Sequence, residues 1–146
     1  MFSKRYKFKD WSKSDIPKVS AGVYAIWEND QLIYCGMSGR QIEKNRHKTR
    51  FGLLTRIQSH ASGRLSGDQF CVYVANRLVI PNLLPDDLIR FASGELNLDI
   101  LTKAYIHEKL EFQYLLVDTS GDAYRIETSA RDGSLLGKKP LLNPIF

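Results

Sequence analysis

The stretch "AGVYAIWENDQLIYCGMSGR", residues 21–40, decides how the rest of the chain is read. Its halves "GVYAIW" and "QLIYCG" are rich in β-branched and aromatic residues, and between them Glu28, Asn29 and Asp30 favour a turn over continued strand. A β-hairpin is expected. Antiparallel pairing across it sets Gly22-Val23-Tyr24 against Tyr34-Cys35-Gly36, with one tyrosine on each strand.

Upstream, the first 20 residues alternate aromatic and basic side chains, with Phe2, Tyr6, Phe8 and Trp11 among lysines and Arg5. This suits an arm or an edge strand. Such aromatics can stack on nucleic-acid bases, but packing onto the core is their commoner fate. Downstream comes the basic run "KNRHKTR", and then Leu53, Leu54 and Ile57 recur at helical spacing, which predicts a helix from about Leu53 to Ala61. Arg56 and His60, four residues apart, are neighbours on one side of it. "QFCVYVA", residues 69–75, reads as a third strand and "EFQYLLVD", residues 111–118, as a fourth. Between them residues 85–110 read as two helices, with Pro85 opening the first. "SGDAYRIETSARDG" predicts a helix ended by Gly133, and Pro140 and Pro144 keep the tail irregular.

A chain of 146 residues with 43% hydrophobic content is long enough to bury one core, so a single domain is expected. No apolar run approaches the roughly 20 residues of a membrane span, and the lysine-rich N-terminus lacks the apolar stretch of a signal peptide. A cytoplasmic protein with no membrane partner is expected. Cys35 and Cys71 have no companion at metal-binding spacing and read as free buried thiols. Charge is divided unevenly: residues 1–64 hold 13 Lys plus Arg against 5 Asp plus Glu, and the remainder 8 against 11. Such asymmetry suits a polyanion bound on one side, because clustered cations gain affinity by releasing counterions from phosphates. Two apparent motifs fail on inspection. "GSLLGKK" leaves three residues between Gly133 and Gly137 where a phosphate-binding loop needs four, and "GMSGR" ends in Arg40 where a nucleophile elbow needs glycine.

One ordered set remains: Gly22-Val23-Tyr24, Tyr34-Cys35-Gly36, Arg56, His60, Glu127 and Asn143. In that order it resembles the GIY-YIG nucleases. Their two short strands carrying those tripeptides precede a helix with Arg and, four residues later, His or Tyr, followed by Glu on a later helix and Asn near the domain's end. Val23 and Cys35 replace the usual isoleucines, whose side chains should point into the core while the tyrosines face the site. The resemblance implies an α/β (α+β) fold, a small central, mostly antiparallel sheet flanked by helices, over one domain spanning residues 1–146. Within it, residues 1–20 form a basic N-terminal arm and 76–110 a helical insertion without a shared motif.

The resemblance also implies DNA as substrate, double-stranded, hydrolysed to 5′-phosphate and 3′-hydroxyl ends with Mg²⁺ or Mn²⁺ as cofactor. Glu127 then offers the hard oxygen for the metal, and Arg56 a guanidinium fork for the phosphate. Tyr24 and Tyr34 contact the water and phosphate, one of them serving as general base; His60 holds a tyrosine or the phosphate, and Asn143 fixes the site by hydrogen bonds. A tyrosine with a pKa near 10 is a poor base at neutrality, so Arg56 and the metal are expected to lower it. Arg40, Lys44, Arg46, Lys48 and Arg50 are expected to bind the nucleic-acid backbone. The rival expectation is an inactive nucleic-acid-binding module on the same fold. Glu127 argues against it, since a carboxylate facing phosphates repels them unless a cation intervenes.

Overall fold

The computed structural model describes residues 1–144. Its strands are β1 (Tyr6–Lys7), β2 (Val19–Glu28), β3 (Gln31–Ser38), β4 (Phe51–Gly52) and β5 (Glu111–Val117). Its helices are α1 (Ile42–Asn45), α2 (Leu53–Ala61), α3 (Gln69–Val74), α4 (Pro85–Ser93), α5 (Leu98–Lys109) and α6 (Ser120–Arg131). The strands lie in the order β1-β5-β2-β3, all antiparallel, and the short β4 pairs parallel with β2. This is the expected α+β arrangement, a mostly antiparallel sheet flanked by helices.

The hairpin of β2 and β3 closes through Asn29 and Asp30, where Asn29 adopts a left-handed φ of 53°, a conformation asparagine tolerates in tight turns. Its register places Tyr24 opposite Gly36, Ala25 opposite Cys35 and Ile26 opposite Tyr34. Because side chains alternate across a strand, Tyr24 and Ile26 enter one cluster with Ile57, Phe70, Cys71, Val74 and Ile106 from α2, α3 and α5. Ala25, Trp27 and Cys35 enter the other, against Ala130 of α6. Val23 and Cys35 are fully buried, as expected of side chains that point into the core, and both cysteines are free.

Gly36 matters at this register. A β-carbon there would collide with the Tyr24 hydroxyl and the carbon that bears it. The Tyr24 ring therefore lies across a position of β3 that has no side chain, which is how a ring packs over a glycine in a neighbouring strand.

The third strand expected over residues 69–75 is instead helix α3, which runs on through a π turn over Ala75–Val79 and a 3-10 turn over Ile80–Asn82. "QFCVYV" fits either period in isolation. Two interactions choose the helix: the Asp68 side chain accepts from the Cys71 backbone N–H as an N-cap, and Phe70, Cys71 and Val74 form a buried stripe at helical spacing. Residues 76–110 are otherwise helical as expected, although α4 buries none of its residues.

At the N-terminus, β1 pairs with Phe112 and Glu111 of β5 as an edge strand. Phe8 is fully buried, its ring centroid 5.0 Å from that of Phe112 and 6.4 Å from that of Phe70, so this aromatic serves the core. Over its described residues the tail has no regular element but covers the free edge of β3: Leu141 N–H donates to Leu32 O at 3.1 Å and Leu142 N–H to Ile33 O at 2.8 Å. Among the described residues no helix is long and apolar enough to cross a membrane.

Substituting Gly36→Ala should cost about 1–3 kcal/mol in chemical denaturation, the usual range for overpacking a filled site. In a Tyr24→Ala background, where the obstructing ring is gone, the added cost should vanish.

Candidate active site

The residues expected from the sequence collect around one end of the hairpin. Tyr24 and Tyr34 point to the same face of the sheet with ring centroids 6.3 Å apart. On α2, Arg56 is exposed, while its neighbour one turn on, His60, sits at the buried margin of the same side and retains 2% of its surface. Tyr24, itself 3% exposed, meets His60 through a 2.8 Å hydrogen bond between Oη and Nε2. Tyr34 is half-buried, and its hydroxyl makes no hydrogen bond to the described residues.

On the other side of the sheet, α6 presents Glu127, which is 8% exposed and paired with Arg131 one turn later at 3.4 Å. Glu127 and Arg131 share with Ser38, Arg40, Arg56 and Tyr124 an open cleft of about 680 Å³. A second cleft of about 460 Å³ adjoins it at Arg40 and Arg56 and is lined further by Arg50, Thr55 and Ser59. Of the five basic residues expected to meet nucleic acid, Arg40 and Arg50 therefore reach the site. Arg46 is tied to the Asp118 carbonyl at 2.8 Å, Lys48 lies 5.2 Å from the centre of the Phe51 ring, and Lys44 is exposed away from both clefts.

Asn143 brackets the backbone of Cys35: its Oδ1 accepts from Cys35 N–H at 2.8 Å and its Nδ2 donates to Cys35 O at 2.8 Å. The side chain satisfies the edge of β3 beside Tyr34 as a further strand would. Burial pushes the Cys35 thiol up to about 12, so it is inert at neutrality.

Two residues of the site lie outside the set expected from the sequence. Asp68, in the turn between α2 and α3, is 3% exposed and lies against His60 with 2.7 Å between its Oδ2 and the ring's Nδ1. Ser59 Oγ donates to the same oxygen at 2.6 Å, and Cys71 N–H to Oδ1 at 3.1 Å. An N-cap residue three positions before Cys71 was the available sequence signal, obscured by reading the segment as strand. Arg131, four residues after Glu127, was legible as a helical ion-pair partner.

The electrostatics correct one expectation. Arg56 does not bring a tyrosine toward neutrality: burial raises Tyr24 well above its ordinary value, the charge of Tyr34 adds to this, and the pull of Arg56 is smaller. Burial likewise raises Tyr34, against the opposing fields of Arg131 and Arg56. Burial also raises the Glu127 carboxyl, opposed by Arg131. For Asp68 burial acts upward too, but the hydrogen bonds from His60, Ser59 and Cys71 prevail and hold it at about 2. Burial lowers His60 below 6.5 despite Asp68, which pulls the other way. The site is thus a neutral tyrosine and imidazole on a buried carboxylate, set behind a cleft of arginines around a single glutamate.

No protein-family model, curated protein or solved structure matches the chain.

The depressed His60 gives a signed stability prediction. The unfolded chain binds a proton on this histidine near pH 6.5 while the folded chain holds it off to lower pH. Stability is therefore full above that value and declines as pH falls through it. Melting temperature should drop between pH 7 and 5, and His60→Gln, less stable throughout, should show a flatter profile over that window.

Proposed function

We propose that the protein is a metal-dependent endonuclease that hydrolyses phosphodiester bonds of double-stranded DNA to 5′-phosphate and 3′-hydroxyl ends. One observation carries the reading. Arg56 and Glu127, from α2 and α6, share one cleft with Arg40 and Arg131, and both act electrostatically on Tyr24 of β2, which is hydrogen-bonded to the buried His60. A lone, largely buried carboxylate among three arginines has little use in a surface that merely attracts polyanions, because it weakens that attraction.

Each remaining requirement of phosphodiester hydrolysis has a group in reach. The negative charge that grows on the phosphate oxygens needs a fixed cation, and Arg56 is exposed to the cleft with no ion pair among the described residues. Arg131 stays with Glu127 and opposes the burial that raises its carboxyl. Arg40 and Arg50 extend the positive surface along the adjoining cleft, where flanking phosphates of the same strand would lie.

The donor set fits the implied metal. Among the described residues no three His, Cys, Asp or Glu side chains group as ligands, so Glu127 would hold Mg²⁺ or Mn²⁺ together with phosphate and water oxygens. Mg²⁺ is commonly held this way, through one or two carboxylates and the substrate's phosphates. When bound, such a metal polarises the phosphate and stabilises the departing 3′ oxygen.

Purified protein should nick or cut plasmid and duplex oligonucleotides with Mg²⁺ or Mn²⁺ and stop when the metal is chelated. Glu127→Gln should abolish cutting while still shifting DNA on a gel, as strongly as wild type or more so, since a carboxylate beside phosphates has been neutralised. A variant that still cuts with metal removes Glu127 from the site. A wild type that binds DNA under every metal condition but never cuts it supports the inactive binding module instead. Arg56→Ala should slow single-turnover cleavage by about 10²–10³-fold with a much smaller change in affinity, because the charge it meets is largest in the transition state. Weaker binding as its sole defect would assign Arg56 to the DNA-contacting surface.

A further inference from the structure

Hydrolysis needs a base, and neither tyrosine is one by itself. We infer that Asp68 is a positioning residue: it fixes His60 with its proton on Nδ1, so that Nε2 takes the Tyr24 proton and Tyr24, not Tyr34, becomes the base. The inference rests on the nuclease reading above and assigns the proton path within that same site.

The geometry leaves little freedom. Asp68 receives three hydrogen bonds, from Ser59 Oγ at 2.6 Å and His60 Nδ1 at 2.7 Å on Oδ2, and from Cys71 N–H at 3.1 Å on Oδ1. An ionised carboxylate can only accept, so Nδ1 carries the hydrogen. The neutral ring then has a bare Nε2, and at 2.8 Å that nitrogen can only accept the hydroxyl hydrogen of Tyr24. The hydroxyl of Tyr34 has no such acceptor among the described residues. A purely structural network would not require the carboxylate. Capping α3 occupies Oδ1 alone and asparagine does it equally well, whereas burying a charge is costly unless its partners are arranged for it. Here Oδ2 is committed to His60 and to the residue before it, Ser59.

In the step this path allows, one O–H bond of the attacking water breaks and its proton passes to Tyr24 Oη, while the Oη–H proton passes to His60 Nε2. The water oxygen forms the new P–O bond. The P–O3′ bond breaks, and the 3′ oxygen leaves with the electron pair and takes a proton from solvent. His60 becomes an imidazolium facing an unprotonated Asp68, and neutrality returns when that proton passes back through Tyr24 to solvent. The Asp68 carboxylate holds the ring and stabilises its positive charge, as in other carboxylate-histidine pairs.

Two measurements on the full-length protein test this. Long-range proton–nitrogen correlation spectra of ¹⁵N-labelled protein, with His60 identified by its loss in His60→Gln, should show a neutral ring protonated at Nδ1. Asp68→Asn should shift the ring toward Nε2–H, because the amide can donate to Nδ1. In single-turnover assays with Mg²⁺ and duplex DNA, Asp68→Asn should slow cleavage by about 10²–10⁴-fold while affinity stays within about twofold, since the residue is remote from phosphate. Tyr24→Phe should be similarly slow, and the double variant no slower than the worse single one, as expected of groups acting as a unit. If Asp68→Asn fails to fold, Ser59→Ala leaves the α3 cap intact and should cost several-fold in rate, with no further cost in the Tyr24→Phe background. His60 protonated at Nε2 in the wild type, wild-type cleavage by Asp68→Asn, or additive losses would each overturn the inference. A wild type that cuts no DNA would overturn the nuclease reading and the catalytic role with it, while the ring signals would still decide whether Asp68 sets the tautomer.

Discussion

The site depends on Tyr24 lying across Gly36. The β2–β3 register makes them partners, and the missing side chain lets the ring turn over the neighbouring strand toward α2. From there its hydroxyl reaches His60 at 2.8 Å, joining the sheet to the helix that also carries Arg56. A slip of one residue in this register would send the tyrosine to the opposite face, into the cluster that α6 covers. Fold specificity and site assembly are thus secured by the same contact.

Burial divides the site into two electrostatic regions. Behind the sheet surface, Tyr24, His60 and Asp68 are each no more than 3% exposed, and each polar atom they use is matched to a partner. In such surroundings an unpaired group costs more than a paired one gains, so the chain of bonds is fixed in direction as well as in distance. In front, Arg40, Arg56 and Arg131 meet the open cleft with Glu127 as their one acidic neighbour there. A buried hydrogen-bonded set and a solvated charged surface can then be tuned separately, since groups in one are screened by water and groups in the other are not.

Distant parts of the chain close the arrangement. The tail lies along the edge of β3, with Asn143 bonded to both backbone groups of Cys35, and Arg131 donates at 3.3 Å to the Pro144 carbonyl. Without those bonds β3 would present an open edge beside the half-buried Tyr34. From the other end of the chain, Phe8 packs between Phe70 and Phe112, and Phe2, Tyr6 and Trp11 pack half-buried against the core, so the aromatics of the basic N-terminal stretch all serve the fold. Its lysines remain on the outside, which is why the charge asymmetry of the sequence persists as a surface property.

Local order was legible in the sequence. Strand-forming runs about an asparagine turn gave β2 and β3, and helical spacing of Leu53, Leu54 and Ile57 gave α2. Pro85 marked the start of α4 and Gly133 the end of α6, and the ordered set from Tyr24 to Asn143 marked which side chains to follow. These features are encoded over a few neighbouring residues, where periodicity and turn chemistry act. Residues 69–75 fold as helix where strand is expected because "QFCVYVA" satisfies both periods, and only the Asp68 cap and the core it covers favour the helix. The bond from Asp68 to His60 was hidden for the same reason, since it exists only when α3 folds back beside α2. The upward direction of the tyrosine pKa values was also beyond the sequence, which shows nearby cations but not the burial that outweighs them. Residue types and local spacing are written in the chain, but desolvation and the distances between remote groups come into being only when the elements pack.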